Sequence, residues 1–117
     1  MVVDELTDDD IDRIFRALAD RTRRDIVRRT MREDASVSGL ARRYDMSFAA
    51  VQKHVAVLAR ADLVTKRRRG REQLVRSNPD TVHRAQQLLD QLESTWRDRL
   101  DRLGDLFDDT DSESEQP

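Results

Sequence analysis

The stretch at residues 65–77, "TKRRRGREQLVRS", crowds Lys66, Arg67, Arg68, Arg69 and Arg71 around a single glycine, Gly70. Cations at this density suit one task, the holding of phosphates, with a guanidinium binding through paired hydrogen bonds and an ammonium as a point charge. Just upstream, residues 46–64 read "MSFAAVQKHVAVLARADLV". There Gln52 carries an amide that matches adenine bidentately, beside the cationic Lys53. Bond-making chemistry finds less to work with. The 117 residues include no cysteine, which removes disulfides, thiolate metal sites, iron–sulfur clusters and cysteine nucleophiles together. The sequence has no glycine-rich phosphate loop and no activated nucleophile, and its carboxylates fall in solvated runs. An enzyme is not expected.

The net charge of −2 conceals a segregation along the chain. Residues 1–20 hold two Arg against seven Asp/Glu, residues 21–76 sixteen Lys/Arg against six Asp/Glu, and residues 77–117 four Arg against eleven Asp/Glu. A basic middle between acidic ends implies one face with a field suited to a polyanion. The opening "MVVDELTDDD" is acidic, unlike a secretory signal, and no apolar run approaches membrane-spanning length. A cytoplasmic protein without membrane contact is the expectation.

Five helices and a hairpin must position these groups. Thr7 with Asp10 three residues on forms a variant capping box for a first helix, in which Ile11, Phe15 and Leu18 recur at helical spacing. "TRRDIVRRTM" predicts a second, with Ile26, Val27 and Thr30 or Met31 inward and Arg23, Arg24, Arg28 and Arg29 outward. Ser36 caps a short third helix packed through Leu40, Ala41 and Tyr44, although Gly39 stands where a Glu would complete its box. After Asp45 and Met46, Ser47 caps a fourth helix whose buried stripe is Val51, Val55 and Leu58. Two short helices joined by so brief a turn describe a helix-turn-helix. The β-capable runs on either side of Gly70 predict a hairpin, and Asn78-Pro79 begins a last helix. Its apolar residues, Val82, Ala85, Leu89, Leu92, Trp96, Leu100, Leu103 and Phe107, recur in steps of three and four. That stripe exceeds what one small domain covers, so a partner helix is expected, most simply a second copy. The fold class is therefore mainly α with a small β-hairpin, a winged helix-turn-helix dimeric through its first and last helices. Residues 1–107 form the domain, and 108–117 a disordered acidic tail.

"ALADRTRRDIV", "SVSGLARRYDMSFAAVQKHVAVLARADLV" and "RRRGREQLVRSNP" together resemble, in order and spacing, the ArsR/SmtB family of dimeric transcriptional repressors over about residues 10 to 107. Arg21 departs from the proline frequent there, and Asp62 from the usual helix-ending glycine; Asp still tolerates the left-handed conformation better than most residues. The resemblance implies that the fourth helix enters the DNA major groove and that the hairpin is a wing that follows the backbone or reaches the minor groove. Reading the residues alone agrees, since Ser47, Phe48, Ala49, Gln52 and Lys53 point outward near the helix start, where base edges are read. Phe48 or Ala49 suits a thymine methyl. Lys53 and the wing residues Arg67, Arg68, Arg69 and Arg71 suit phosphates. His54 matches a histidine common in the family, which implies a hydrogen-bonded structural or phosphate-facing role.

Many members of the family sense metals on the last helix, where this chain has Asp80, His83, Asp90 and Glu93. One imidazole among carboxylates does not suit zinc, and the third-helix cysteines are replaced by the neighbourhood of Ala41, Arg42 and Arg43. Neither metal nor cofactor is expected, and the residues identify no inducer. The expected partners are double-stranded DNA and a second copy through Ile11, Phe15, Leu18, Leu89, Leu92, Trp96, Leu100 and Leu103. The expected function is a sequence-specific repressor on a palindromic operator. The alternative is a winged-helix protein-interaction or weakly specific architectural DNA-binding module.

Overall fold

Each of the first four helices starts where a short polar side chain meets a free backbone N–H, while at the head of the fifth the Asn78 amide donates to the Thr81 hydroxyl at 3.2 Å. In the computed structural model, which describes residues 6–115 of the backbone and side chains from 6 to 107, Thr7 and Asp10 close a reciprocal capping box at the head of α1 (Asp8–Leu18). The Thr7 hydroxyl accepts from the Asp10 N–H at 3.1 Å, and the Asp10 carboxylate accepts from the Thr7 N–H at 3.0 Å. The bond from the Thr7 N–H, with the Thr7 hydroxyl next to it, holds the Asp10 carboxyl below its ordinary range. Asp20 caps α2 (Arg21–Arg32) and Ser36 caps α3 (Val37–Tyr44), each accepting a backbone N–H at 3.0 Å. The Ser36 bond also explains Gly39, because a Cβ there would come within 2.9 Å of the serine oxygen. Ser47 caps α4 (Phe48–Arg60).

The hairpin is β2 (Val64–Arg69) and β3 (Glu72–Ser77), paired from Val64 with Ser77 to Arg69 with Glu72. Gly70 turns it with φ 62°, the left-handed conformation that a two-residue Gly-X turn places first. The sequence reading did not anticipate β1 (Ala35–Ser36), which pairs antiparallel with β3 and makes a three-stranded sheet in the order β1-β3-β2. Two residues are too few to alternate visibly, so the strand leaves no pattern in the chain.

α5 runs Pro79–Glu115, and two compact units divide within it, at Ala85 and Gln86. In the first unit the core is built from α1 to α4 and the sheet: Ile14, Ile26, Val37, Val55, Leu58 and Val75 are sealed from solvent. Each such side chain contributes about 1.5–3 kcal/mol by leaving water. Ile14 and Ala17 carry the buried face of α1, a face the sequence reading passed over. Thr30 rather than Met31 is the inward residue of α2, its hydroxyl donating to the Ile26 and Val27 carbonyls. The predicted stripe of α5 also divides, for Ala85 joins the core of the first unit with Val82 packed against it. The second unit is the helix from Gln86 onward, with Leu89, Leu92, Trp96, Leu100, Leu103 and Phe107 exposed along it. Over the stretch 108–117, where disorder was expected, the backbone of α5 continues as helix to Glu115, and the side chains there and residues 116–117 lie outside the described residues. Among the described residues no helix is long and apolar enough to cross a membrane.

Candidate nucleic-acid interface

α3 stops because Asp45 takes the left-handed conformation at φ 53°, and the Met46 N–H returns to the Ala41 carbonyl at 3.0 Å. This is the αL closure of a helix C-terminus. Ser47 then starts α4 at once, its hydroxyl accepting from the Ala50 N–H at 3.1 Å. α4 is clamped at its other end by the same device. Asp62 has φ 58°, and the Leu63 N–H returns to the Leu58 carbonyl at 3.0 Å, so the left-handed conformation inferred from sequence at this position is the one adopted.

Between these stops Val51, Val55 and Leu58 are fully buried, which fixes the rotation of α4 about its axis. Ser47, Phe48, Ala49 and Lys53 are thereby exposed and Gln52 is half-buried at the flank of the outward face. His54 turns the other way. Its Nδ1 lies 3.4 Å from Arg23 Nη1 and 3.9 Å from Asp20 Oδ2, so it ties α4 to the junction of α1 and α2. Arg23, expected outward, is drawn inward for the same reason: its Nε donates to the Ala17 carbonyl at 2.7 Å and its Nη2 to the Arg16 carbonyl at 3.0 Å. It satisfies the orphan carbonyls at the end of α1. The Arg23 N–H bond holds the Asp20 carboxyl below its ordinary range.

The wing's register sorts its cations. Side chains alternate across a strand, so Lys66 and Arg68 share the face of the buried Val64 and Val75, while Arg67 and Arg69 share the opposite face with Arg76. Arg71 sits at the turn, and all six cations are exposed. Arg76 is already engaged, with Nε and Nη2 donating to the Asp34 carboxylate at 2.9–3.3 Å. This fork holds Asp34 below the usual carboxylate range, with Arg67 and Arg69 adding to the field.

Outward arginines of α2 form a further cationic row, to which the sequence reading assigned no role. Arg21, Arg24 and Arg28 on α2, with Thr22, Asp25 and Tyr44, line a pocket of about 440 Å³ beside the end of α3. The spacing of three and four was the available signal. The Tyr44 hydroxyl donates to Asp25 Oδ2, which also accepts from Arg29 Nε at 2.7 Å. Desolvation, then that bond, push the phenol up to about 12, while the phenol and Arg29 pull the Asp25 carboxyl down.

Elsewhere the expected groups stand apart. His83 and Asp80 are exposed in the first unit; in the second, Asp90 accepts from Gln86 and Glu93 from Arg97. Among the described residues no three metal-binding side chains converge. On α1, Phe15 is exposed and Ile11 and Leu18 are half-buried.

A capped helix held by two left-handed stops beside a cationic hairpin defines a winged helix-turn-helix, a class of DNA-binding protein. A helix-turn-helix domain family model matches residues 18–67, and the chain is 35% identical over 97 residues to the HTH-type transcriptional regulator Rv2034 of Mycobacterium tuberculosis, covering 83% of this chain and 88% of that protein. It is 30% identical to the ArsR-like transcriptional regulator from Rhodococcus sp. RHA1, covering 83% of this chain and 92% of that one with a TM-score of 0.74. The chain belongs to the ArsR/SmtB family of winged helix-turn-helix transcriptional regulators, and is not an enzyme. The fold alone is shared with the homodimeric winged helix-turn-helix DNA-binding domain of Mb0332 from Mycobacterium bovis, a possible ArsR-family regulator, at 21% identity and a TM-score of 0.61 over 80% of this chain and 91% of that one.

Proposed function

We propose that this regulator is a cytoplasmic repressor that binds a palindromic operator as a homodimer, with α4 in the major groove and the wing on the backbone. The observation that carries the reading is the outward face of α4: Ser47, Phe48, Ala49 and Lys53 stand exposed on a helix whose rotation the core fixes. Gln52 is the base reader, and Lys53, Arg67, Arg68, Arg69 and Arg71 are phosphate ligands. His54 acts behind them by holding α4 against α2. Support for dimerisation comes from the exposed apolar residues of α5, with Ile11, Phe15 and Leu18 of α1 assisting, and a homodimer occurs in this fold. A two-fold dimer pairs with a two-fold operator, its half-sites about one helical turn, roughly 34 Å, apart. The family resemblance carries the repressor role.

The test is a pair of duplexes at one salt concentration. A palindrome selected from genomic fragments should bind about 10³-fold or more tightly than its scrambled counterpart. Equal affinities would leave an architectural DNA binder instead. A reporter driven by the selected site should rise when the regulator is deleted; a fall would make it an activator.

A further inference from the structure

Phe48 is the first residue of α4, follows the Ser47 cap directly and is 51% exposed. Of the large apolar side chains left exposed among the described residues of the first unit, Phe15 lies on α1 and Met31 at the end of α2, so among them Phe48 alone stands on the helix-turn-helix outward face. Its neighbours there are Ser47, Ala49 and Lys53, small or polar groups that form no apolar patch around it. Gln52 lies four residues on, which puts both side chains on one ridge of the helix, one turn apart.

We infer that Phe48 is a specificity-determining residue that reads the 5-methyl group of one thymine in each operator half-site. This deepens the proposed function and rests on it. The partner follows from chemistry and charge. Lys53 stands exposed farther along the same helix and the wing cations are exposed on the hairpin that follows it, a charge that suits a polyanionic occupant. The apolar feature that a DNA major groove offers an aromatic ring is the thymine methyl. The ridge also sets the position. One helical turn rises about 5.4 Å, and base pairs are spaced about 3.4 Å, so the thymine lies within about two base-pair steps of the base that Gln52 reads.

The experiment replaces each thymine of the selected operator, one at a time, by deoxyuridine, which deletes only the methyl. Fluorescence anisotropy then measures the wild type, Phe48→Ala and Phe48→Leu on each duplex. Wild type should lose about fourfold per half-site at one symmetric position, the effect of withdrawing one buried methyl. Phe48→Ala should bind the thymine and deoxyuridine duplexes alike, while Phe48→Leu, which restores an apolar contact, should recover part of the difference. Melting temperatures should match among the three proteins, because the side chain is exposed. Wild type that is indifferent to every deoxyuridine, or Phe48→Ala that keeps the full methyl effect, overturns the assignment while leaving the operator reading intact. Wild type that cannot tell the operator from a scrambled duplex removes the operator reading, and this proposal with it.

Discussion

Trp96→Ala tests the assembly at the bulkiest side chain of the exposed stripe on α5. Trp96 is 53% exposed, and a tryptophan presents about 150–250 Å² to be buried. A partner helix covering that exposed half removes about 80–130 Å² from water, which at ~25 cal/mol per Å² contributes about 2–3 kcal/mol. Two-fold symmetry counts the contact twice, so truncation should cost about 4–6 kcal/mol of dimerisation and raise the dimer Kd about a thousandfold or more. Sedimentation equilibrium on both proteins reads this directly, and circular dichroism confirms that the protomer keeps its helices. The variant should sediment as a monomer at concentrations where the wild type is a dimer. A wild type already monomeric at micromolar concentration, or a variant that dimerises equally well, refutes the assignment of α5 as the interface.

Gln52→Ala should cost about 1–3 kcal/mol on the preferred operator and little on scrambled DNA, whereas Arg69→Ala should weaken both and make the salt slope shallower by about one unit; anisotropy at several salt concentrations separates the two. Asp62→Gly should stabilise the fold by about 0.5–1 kcal/mol, because φ 58° suits glycine and a carboxylate opposes the dipole at the end of α4, and a thermal melt shows whether Tm rises. Tyr44→Phe removes the first cause of the low Asp25 pKa. A depressed folded pKa contributes stability that is present above the ordinary value of 3.8 and lost as pH falls through the folded one, so the unfolding free energies of wild type and variant from urea titrations should differ by about 1–3 kcal/mol at pH 7 and converge in stronger acid.

What the sequence made legible was local. The Thr7 box, the Ser36 and Ser47 caps, the turn at Gly70 and the left-handed Asp62 each depend on contacts within a few residues, so pattern alone reached them. Arg23 was misjudged because its partners, the carbonyls of Arg16 and Ala17 and the ring of His54, come from other helices. The same holds for His54, whose side of α4 depends on where α2 lies. On α1 the apolar arc is wide enough to serve two surfaces: spacing picked out Ile11, Phe15 and Leu18, while the core took Ile14 and Ala17. Periodicity identifies an apolar face but not which neighbour covers it.

The structure also divides arginines that composition counts alike. Arg23 and Arg24 donate to carbonyls at the end of α1, Arg29 is held by Asp25 and Arg76 by Asp34, so these four guanidiniums are committed within the fold. The guanidiniums of Arg67, Arg68, Arg69 and Arg71 have no hydrogen-bond partner among the described residues, and their charge is exposed. Two of the six acids in the basic segment, Asp25 and Asp34, are therefore spent on Arg29 and Arg76, not on Arg67, Arg68, Arg69 or Arg71 around the turn of the wing. Asp34 is the instructive case: without Arg76 it would face Arg67 and Arg69, whose field it already feels, and would compete with a phosphate for them. The bidentate bridge at the root of the wing thus keeps two cations available a few residues farther out. A chain with a net charge of −2 can present a cationic surface for this reason, since what DNA meets is the charge left uncommitted on one face and not the sum over the sequence.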